Sequence, residues 1–164
     1  MKEKGIIRVE ETKQIITFKL GEEEFGVDIL QVKEIEKLDQ EITRVPKAPG
    51  FVEGVFNLRG DIVPIVDLRK RFGLSLKPLG RDTRVIIAEI NDNSVGMMVD
   101  SVTEVLRIPV SSIEDAPNIT KGVDTYYLNG VAKINDRLIV LLNLERSLST
   151  DETKELKEFS VSVE

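Results

Sequence analysis

The chain repeats itself, and this limits its possible folds more than any other feature. The stretch from Ile16 to Ile35, ITFKLGEEEFGVDILQVKEI, aligns without a gap on Ile86 to Val105, IIAEINDNSVGMMVDSVTEV. Gly26 meets Gly96, Val32 meets Val102 and Glu34 meets Glu104. A second block, GVFNLRGDIVPIVDLRKRF from Gly54 to Phe72, aligns on GVAKINDRLIVLLNLERSL from Gly130 to Leu148, and nearly every apolar position recurs. Two similar apolar frameworks in the same order describe a two-lobed body, so function is sought where the copies differ. They differ at Asn57-Leu58-Arg59-Gly60, which reads Lys133-Ile134-Asn135-Asp136 in the second copy.

The period within each copy is that of strands. Ile16, Phe18 and Leu20 alternate with polar neighbours, Gly21-Glu22-Glu23-Glu24 reads as a turn, and Phe25, Val27 and Ile29 resume the alternation, which predicts a β-hairpin. The same pattern recurs around Asn91-Asp92-Asn93-Ser94. Val55, Phe56 and Leu58 run into Arg59-Gly60-Asp61 and emerge as Ile62, Val63, Ile65 and Val66, a tight hairpin whose glycine can take a positive φ. Asn135-Asp136 fills the matching turn. Asp67 predicts the cap of a short helix closed by Gly73, Asn143 caps another, and Ser149 with Glu152 offers a capping box for a terminal helix. Each copy thus supplies four or five short strands, which predicts a small antiparallel barrel repeated once. A lobe of about 65 residues buries too little surface to stand alone comfortably, so the lobes are expected to share an apolar seam. Val32, Val102 and Val105 come after the second strand of each copy, where their spacing lets them face that seam, either as core packing or with some left exposed in a groove that could receive a helical hairpin. Pro64, where the second copy has Val140, predicts an edge or bulged strand in copy one.

Composition removes whole classes of chemistry. At 164 residues, 41% hydrophobic and 32% charged, the chain is an ordinary globular protein. It has no cysteine and no histidine, which removes thiolate chemistry, the commonest general base and the commonest zinc ligand. A net charge of −6 without a long basic run argues against nucleic acid as a partner. Nothing at the N-terminus resembles a signal peptide, and no segment approaches the roughly 20 apolar residues of a membrane helix, so a cytoplasmic protein is expected. Several motifs have plain readings. Arg59-Gly60-Asp61 is a hairpin turn, Asp61, Asp67 and Asp100 are caps and turns and carry no metal signature, and Arg69-Lys70-Arg71 is a solvated face.

The run from Phe51 to Leu68, FVEGVFNLRGDIVPIVDL, resembles the signature block of the chemotaxis coupling proteins of the CheW family. Phe25 to Ile35 resembles the family's second strand and the segment after it, and Val99 to Val102 with Leu138 to Asn143 match its later half. The resemblance runs from about Gln14 to Leu148. It implies an all-β fold with short helices: two tandem, pseudo-repeated, SH3-like five-stranded β-barrels sharing a hydrophobic core. The expected division is a flexible N-terminus over 1–13, a single CheW-like domain of two lobes over 14–149, and a short helix or exposed tail over 150–164. A stand-alone coupling protein is the expected member.

The resemblance also implies a non-catalytic adaptor that joins the cytoplasmic tips of chemoreceptors to the regulatory domain of the histidine kinase CheA, recruited to membrane receptor arrays. No catalytic residue, metal or cofactor is implied. Positions matching Val32, Glu34, Gly54, Arg59 and Val105 are implied in receptor coupling. Arg59 leads, as a guanidinium at a hairpin shoulder that offers a planar donor fork to a receptor carboxylate or to Glu34. Gly54 also has a backbone explanation shared by Gly130. Kinase contacts are expected at barrel-edge strands, without assignment to residues. The alternative is a single-stranded nucleic-acid-binding barrel pair, but two tyrosines, no tryptophan and a negative net charge leave no stacking platform in a basic groove.

Overall fold

The computed structural model describes residues 10–39, 41–46, 48–115 and 125–163, so positions 1–9 of the expected N-terminal arm lie outside it. The first copy provides β1 (Thr12–Leu20), β2 (Glu23–Asp28), β3 (Val32–Lys37), β4 (Gly54–Leu58) and β5 (Asp61–Asp67), followed by the single helical turn α1 (Leu68–Arg71). The second provides β6 (Arg84–Ile90), β7 (Asn93–Val99), β8 (Ser101–Pro109), β9 (Ile113–Glu114), β10 (Leu128–Ile134) and β11 (Arg137–Leu142), and the terminal helix α2 spans Thr150–Val163. The hairpin turns are tighter than the polar runs suggested. Leu20 pairs with Glu23 and Ile90 with Asn93, which leaves two-residue turns, and Asn91 and Asp92 both sit in the left-handed region at φ 50° and 68°.

The two lobes trade hairpins. One sheet has the order β8-β1-β2-β11-β10-β9 and the other β3-β6-β7-β5-β4, so each combines the first hairpin of one copy with the later strands of the other. The junctions β2·β11 and β5·β7 are parallel. Connector length explains the exchange. A 3-10 turn of three residues, Ile29–Gln31, links β2 to β3. It rises about 6 Å, whereas reaching the far side of β1 in the same sheet means crossing two strand spacings, about 10 Å. Between β7 and β8 only Asp100 intervenes. The third strand therefore enters the opposite sheet in both copies. The two-residue β9 has its counterpart in the lone bridge Thr43↔Val55, so each lobe is five strands with a short flank.

Strand exchange places the expected seam between the sheets. Phe18, Phe25 and Val27 from one sheet and Ile86, Met97 and Val99 from the other meet in a single buried cluster, with Phe18 and Phe25 stacked at 6.0 Å between ring centroids. Val32 and Val102 pack against this shared core, half-buried. Each barrel also has its own filling: Ile15, Ile108, Ala132, Ile139 and Leu141 in one, and Phe56, Val63, Ile65, Val85, Ile87 and Met98 in the other. The repeated glycine has a packing cause. A Cβ on Gly96 would stand 2.5 Å from Ile65 Cδ1 and 2.7 Å from Val85 Cγ1, and Gly26 faces Ile15, Ile139 and Leu141 in the same way.

Two readings of the sequence are corrected here. β5 is neither an edge strand nor bulged: it lies between β4 and β7, and its pairing with β4 runs without a register shift. Ile65 accepts from Glu53 N–H on the β4 side, so the backbone nitrogen of Pro64 faces β7, where the parallel ladder begins only at Ile65. The missing donor therefore falls just ahead of the ladder. Nor is Arg69-Lys70-Arg71 a solvated face. Arg69 is 4% exposed and donates to both oxygens of Asp67, to Asp100 Oδ1 at 3.0 Å and to the Lys77 carbonyl at 2.6 Å. Asp100 in turn accepts from Gly21 N–H at 2.6 Å, so one buried guanidinium ties together β5, the β1–β2 turn and the connector between the copies. Arg71 donates to both oxygens of Glu152 and to the Ser147 carbonyl. The Ser149–Glu152 capping box forms, and Leu156 is buried, so α2 is held against the body. Among the described residues, no helix is long and apolar enough to cross a membrane.

Candidate functional site

The β4–β5 turn consists of Arg59 and Gly60 at φ 51° and 91°, closed by the pair Leu58↔Asp61 and by Gly60 N–H donating to Asn57 Oδ1. Its counterpart uses Asn135 and Asp136 at φ 45° and 67°. Asn and Asp tolerate the left-handed region through local hydrogen bonding, whereas arginine has no such compensation. An arginine held there points to a role for its side chain.

That side chain reaches across the barrel. Arg59 Nη2 donates to Glu34 Oε2 at 2.6 Å, and Nη1 stands 3.8 Å from Glu36 Oε2. β3 and β4 are the two outer strands of the five-stranded sheet, so the pair joins its edges. The guanidinium beside it holds the Glu34 carboxyl below the ordinary carboxylate range, while hydrogen bonding with Glu34 pushes Glu36 above its own. Arg59 nevertheless remains 67% exposed, with donors still directed to solvent. Beside it, a cleft of about 310 Å³ lies between the β4–β5 turn, β3 and the β6–β7 turn, lined by Lys33, Glu34, Arg59, Asp61 and the half-exposed Ile62. A larger hollow of about 650 Å³, at Leu38, Ile42, Leu79 and Met98, contains none of the five predicted residues.

The five predicted residues do not form one cluster. Glu34 and Arg59 are in direct contact. Val32 is two residues away on β3 but faces the shared core. Gly54 is buried at the start of β4, where a Cβ would stand 2.5 Å from the Thr43 carbonyl oxygen. Its lack of a side chain lets the Thr43 strand approach and exchange two backbone bonds with Val55, at 2.8 and 3.0 Å. Gly130 faces Glu114 O at 2.6 Å in the same way, so the backbone explanation holds in both copies. Val105 lies in the other sheet, on the outer strand β8 opposite the buried Ile16, and is 51% exposed.

The sequence reading missed a second cluster of the same design. Arg137, on the far side of its turn, donates to Glu24 Oε2 at 2.6 Å and lies 2.9 Å from Glu104 Oε2. The recurrence of Glu34 as Glu104 was the available signal. The cationic partner was hidden because Arg137 aligns on Asp61, of opposite charge, and not on Arg59.

A family model described as the CheW-like domain matches residues 14–152. The chemotaxis protein CheW of Klebsiella aerogenes is 39% identical over 140 residues, spanning 85% of this chain and 84% of that protein. CheW of Helicobacter pylori is 39% identical over 142 residues, spanning 87% and 85%. The crystal structure of the scaffolding protein TtCheW from Thermoanaerobacter tengcongensis matches with a TM-score of 0.78 at 41% identity, over 87% of this chain and 96% of that one. The paired barrels, the signature hairpin and these likenesses together assign the chain to the CheW family of chemotaxis proteins.

Proposed function

We propose that this chain is a non-catalytic adaptor of chemotaxis signalling that holds chemoreceptor tips and the regulatory domain of a CheA kinase together. Family membership across residues 14–152 carries the reading. Two modest contacts suffice for such a role, because joining both partners on one body raises their effective concentration for each other. Its place is the cytoplasmic side of receptor arrays. Receptor coupling is assigned to the exposed fork of Arg59 over Glu34, to the cleft beside it, and to Val105 on β8. Val32 and Gly54 support this surface from beneath, one through the shared core and the other through the close backbone approach at Thr43.

Calorimetric titration with the isolated regulatory domain of a CheA kinase tests the reading. Saturable one-to-one binding with a dissociation constant on the order of micromolar, about 8 kcal/mol, is expected. The absence of heat at partner concentrations near a hundredfold higher would remove the kinase from the proposal.

A further inference from the structure

We infer that Arg137 is the positioning residue of the β8 edge: with Glu24 and Glu104 it latches the outer strand β8 onto β2 and β11 and so sets the docking face that carries Val105. The latch rests on geometry alone, and its link to docking rests on the proposal that Val105 touches a partner.

β8 is the outer strand of its sheet and is paired there with β1 alone. The β1–β8 ladder breaks register between Thr17 and Phe18, and such a bulge interrupts the backbone bonds locally. The buried Thr17 hydroxyl partly repairs the gap, accepting from Glu104 N–H and lying within hydrogen-bond reach of its carbonyl, both at 3.2 Å. Here, where the ladder is weakest and one residue before Val105, Arg137 reaches over from β11. Its Nη1 lies 2.9 Å from Glu104, and Nη2 and Nε donate to Glu24 on β2 at 2.6 and 3.2 Å. Thr103 donates to the same Glu24 at 3.3 Å.

The repeat shows that this position braces the outer third strand in both lobes. Lys33 and Ser94 align on Thr103 and Glu24, and they too are bonded, at 3.3 Å. Glu34 aligns on Glu104, and each accepts an arginine from the later hairpin of its own copy. The arginines differ in what they leave over. Arg59 is 67% exposed with one close carboxylate, whereas Arg137 is 34% exposed and divides its fork between two. One latch has donors to spare for a partner. The other is occupied in holding its own strand.

Hydrogen exchange of the full chain, read by mass spectrometry, tests the latch without any partner. Arg137→Gln and Glu104→Gln are each expected to speed exchange over 101–109 by roughly two- to fivefold and to leave 32–37 unchanged. The double variant is expected to exchange no faster than Arg137→Gln alone, since Glu104 has already lost its partner there, and Arg137→Lys to recover part of the protection. Unaltered exchange over 101–109 in Arg137→Gln overturns the latch. Titration with a receptor-tip fragment then tests the positioning role: Val105→Ala and Arg137→Gln are both expected to bind several-fold more weakly. Weakening by Val105→Ala alone overturns positioning. If neither variant weakens binding while exchange over 101–109 rises, the reading of Val105 fails and the latch stands.

Discussion

Replacing Arg69 with methionine is expected to destabilise the fold by about 3–5 kcal/mol, because removing one member of a buried ion network leaves the others uncompensated. Methionine fills much of the space but donates nothing. Asp67 and Asp100 would be left without their cation at 1% and 10% side-chain exposure, and the Lys77 carbonyl would lose its partner. The loss is spread over the whole molecule, since the guanidinium joins β5 of one sheet, the connector between the copies and, through Asp100, the β1–β2 turn of the other sheet. Nothing in the second copy substitutes, because Asn143 and Glu145 stand at the positions of Asp67 and Arg69. Urea denaturation checks this through the midpoint. Lys70→Ala, in the same short helix but with an exposed pairing to Glu53, is expected to stay within about 0.5 kcal/mol of wild type. Similar midpoints for the two variants would show that the Arg69 network does not hold the lobes together.

Arg59→Ala is expected to leave the fold intact and to remove coupling. The turn keeps Gly60 and the Asn57 bond, and Glu34, freed of its arginine, can be solvated at the barrel surface. What disappears is the donor fork that a partner carboxylate or carbonyl would meet. Receptor-stimulated phosphorylation by the kinase is expected to fall by about tenfold or more, the scale of one lost charge-assisted hydrogen bond at an interface. Arg59→Lys, which keeps the charge without the planar fork, is expected to fall between wild type and alanine. Full activity in Arg59→Ala at wild-type melting temperature would remove Arg59 from the receptor surface.

The hairpins are legible in the sequence because their cause is local. Alternation marks the strands, and Arg59-Gly60 and Asn135-Asp136 mark turns that need positive φ. The exchange of hairpins is not legible in the same way, since alternation tells which face of a strand is buried and not which strand lies beside it. Connector length holds that answer: the step from Asp28 to Val32 and the single residue Asp100 between β7 and β8 are both too short to keep the third strand at home. Arg69 escapes a sequence reading because three adjacent cations resemble a wet surface until Asp100, far along the chain, is brought to the guanidinium. Pro64 misleads because an absent donor matters only on the side where a ladder runs, and there the ladder starts one residue later. At the site, Glu34 and Arg59 are identifiable as partners from the sequence. Val105 sits in the open on the outer strand β8, opposite the buried Ile16, and alternation along the strand does not reveal which such positions stay uncovered.

The adaptor role is tested most directly by reconstituting CheA kinase with chemoreceptor signalling fragments, with and without this chain, and monitoring phosphoryl transfer. Stimulation that appears only when the chain is added, and that declines again when the chain is in excess and occupies each partner separately, is the predicted result. Equal stimulation in its absence, or a steady rise with no decline at excess, would contradict an adaptor that works by holding two partners on one body.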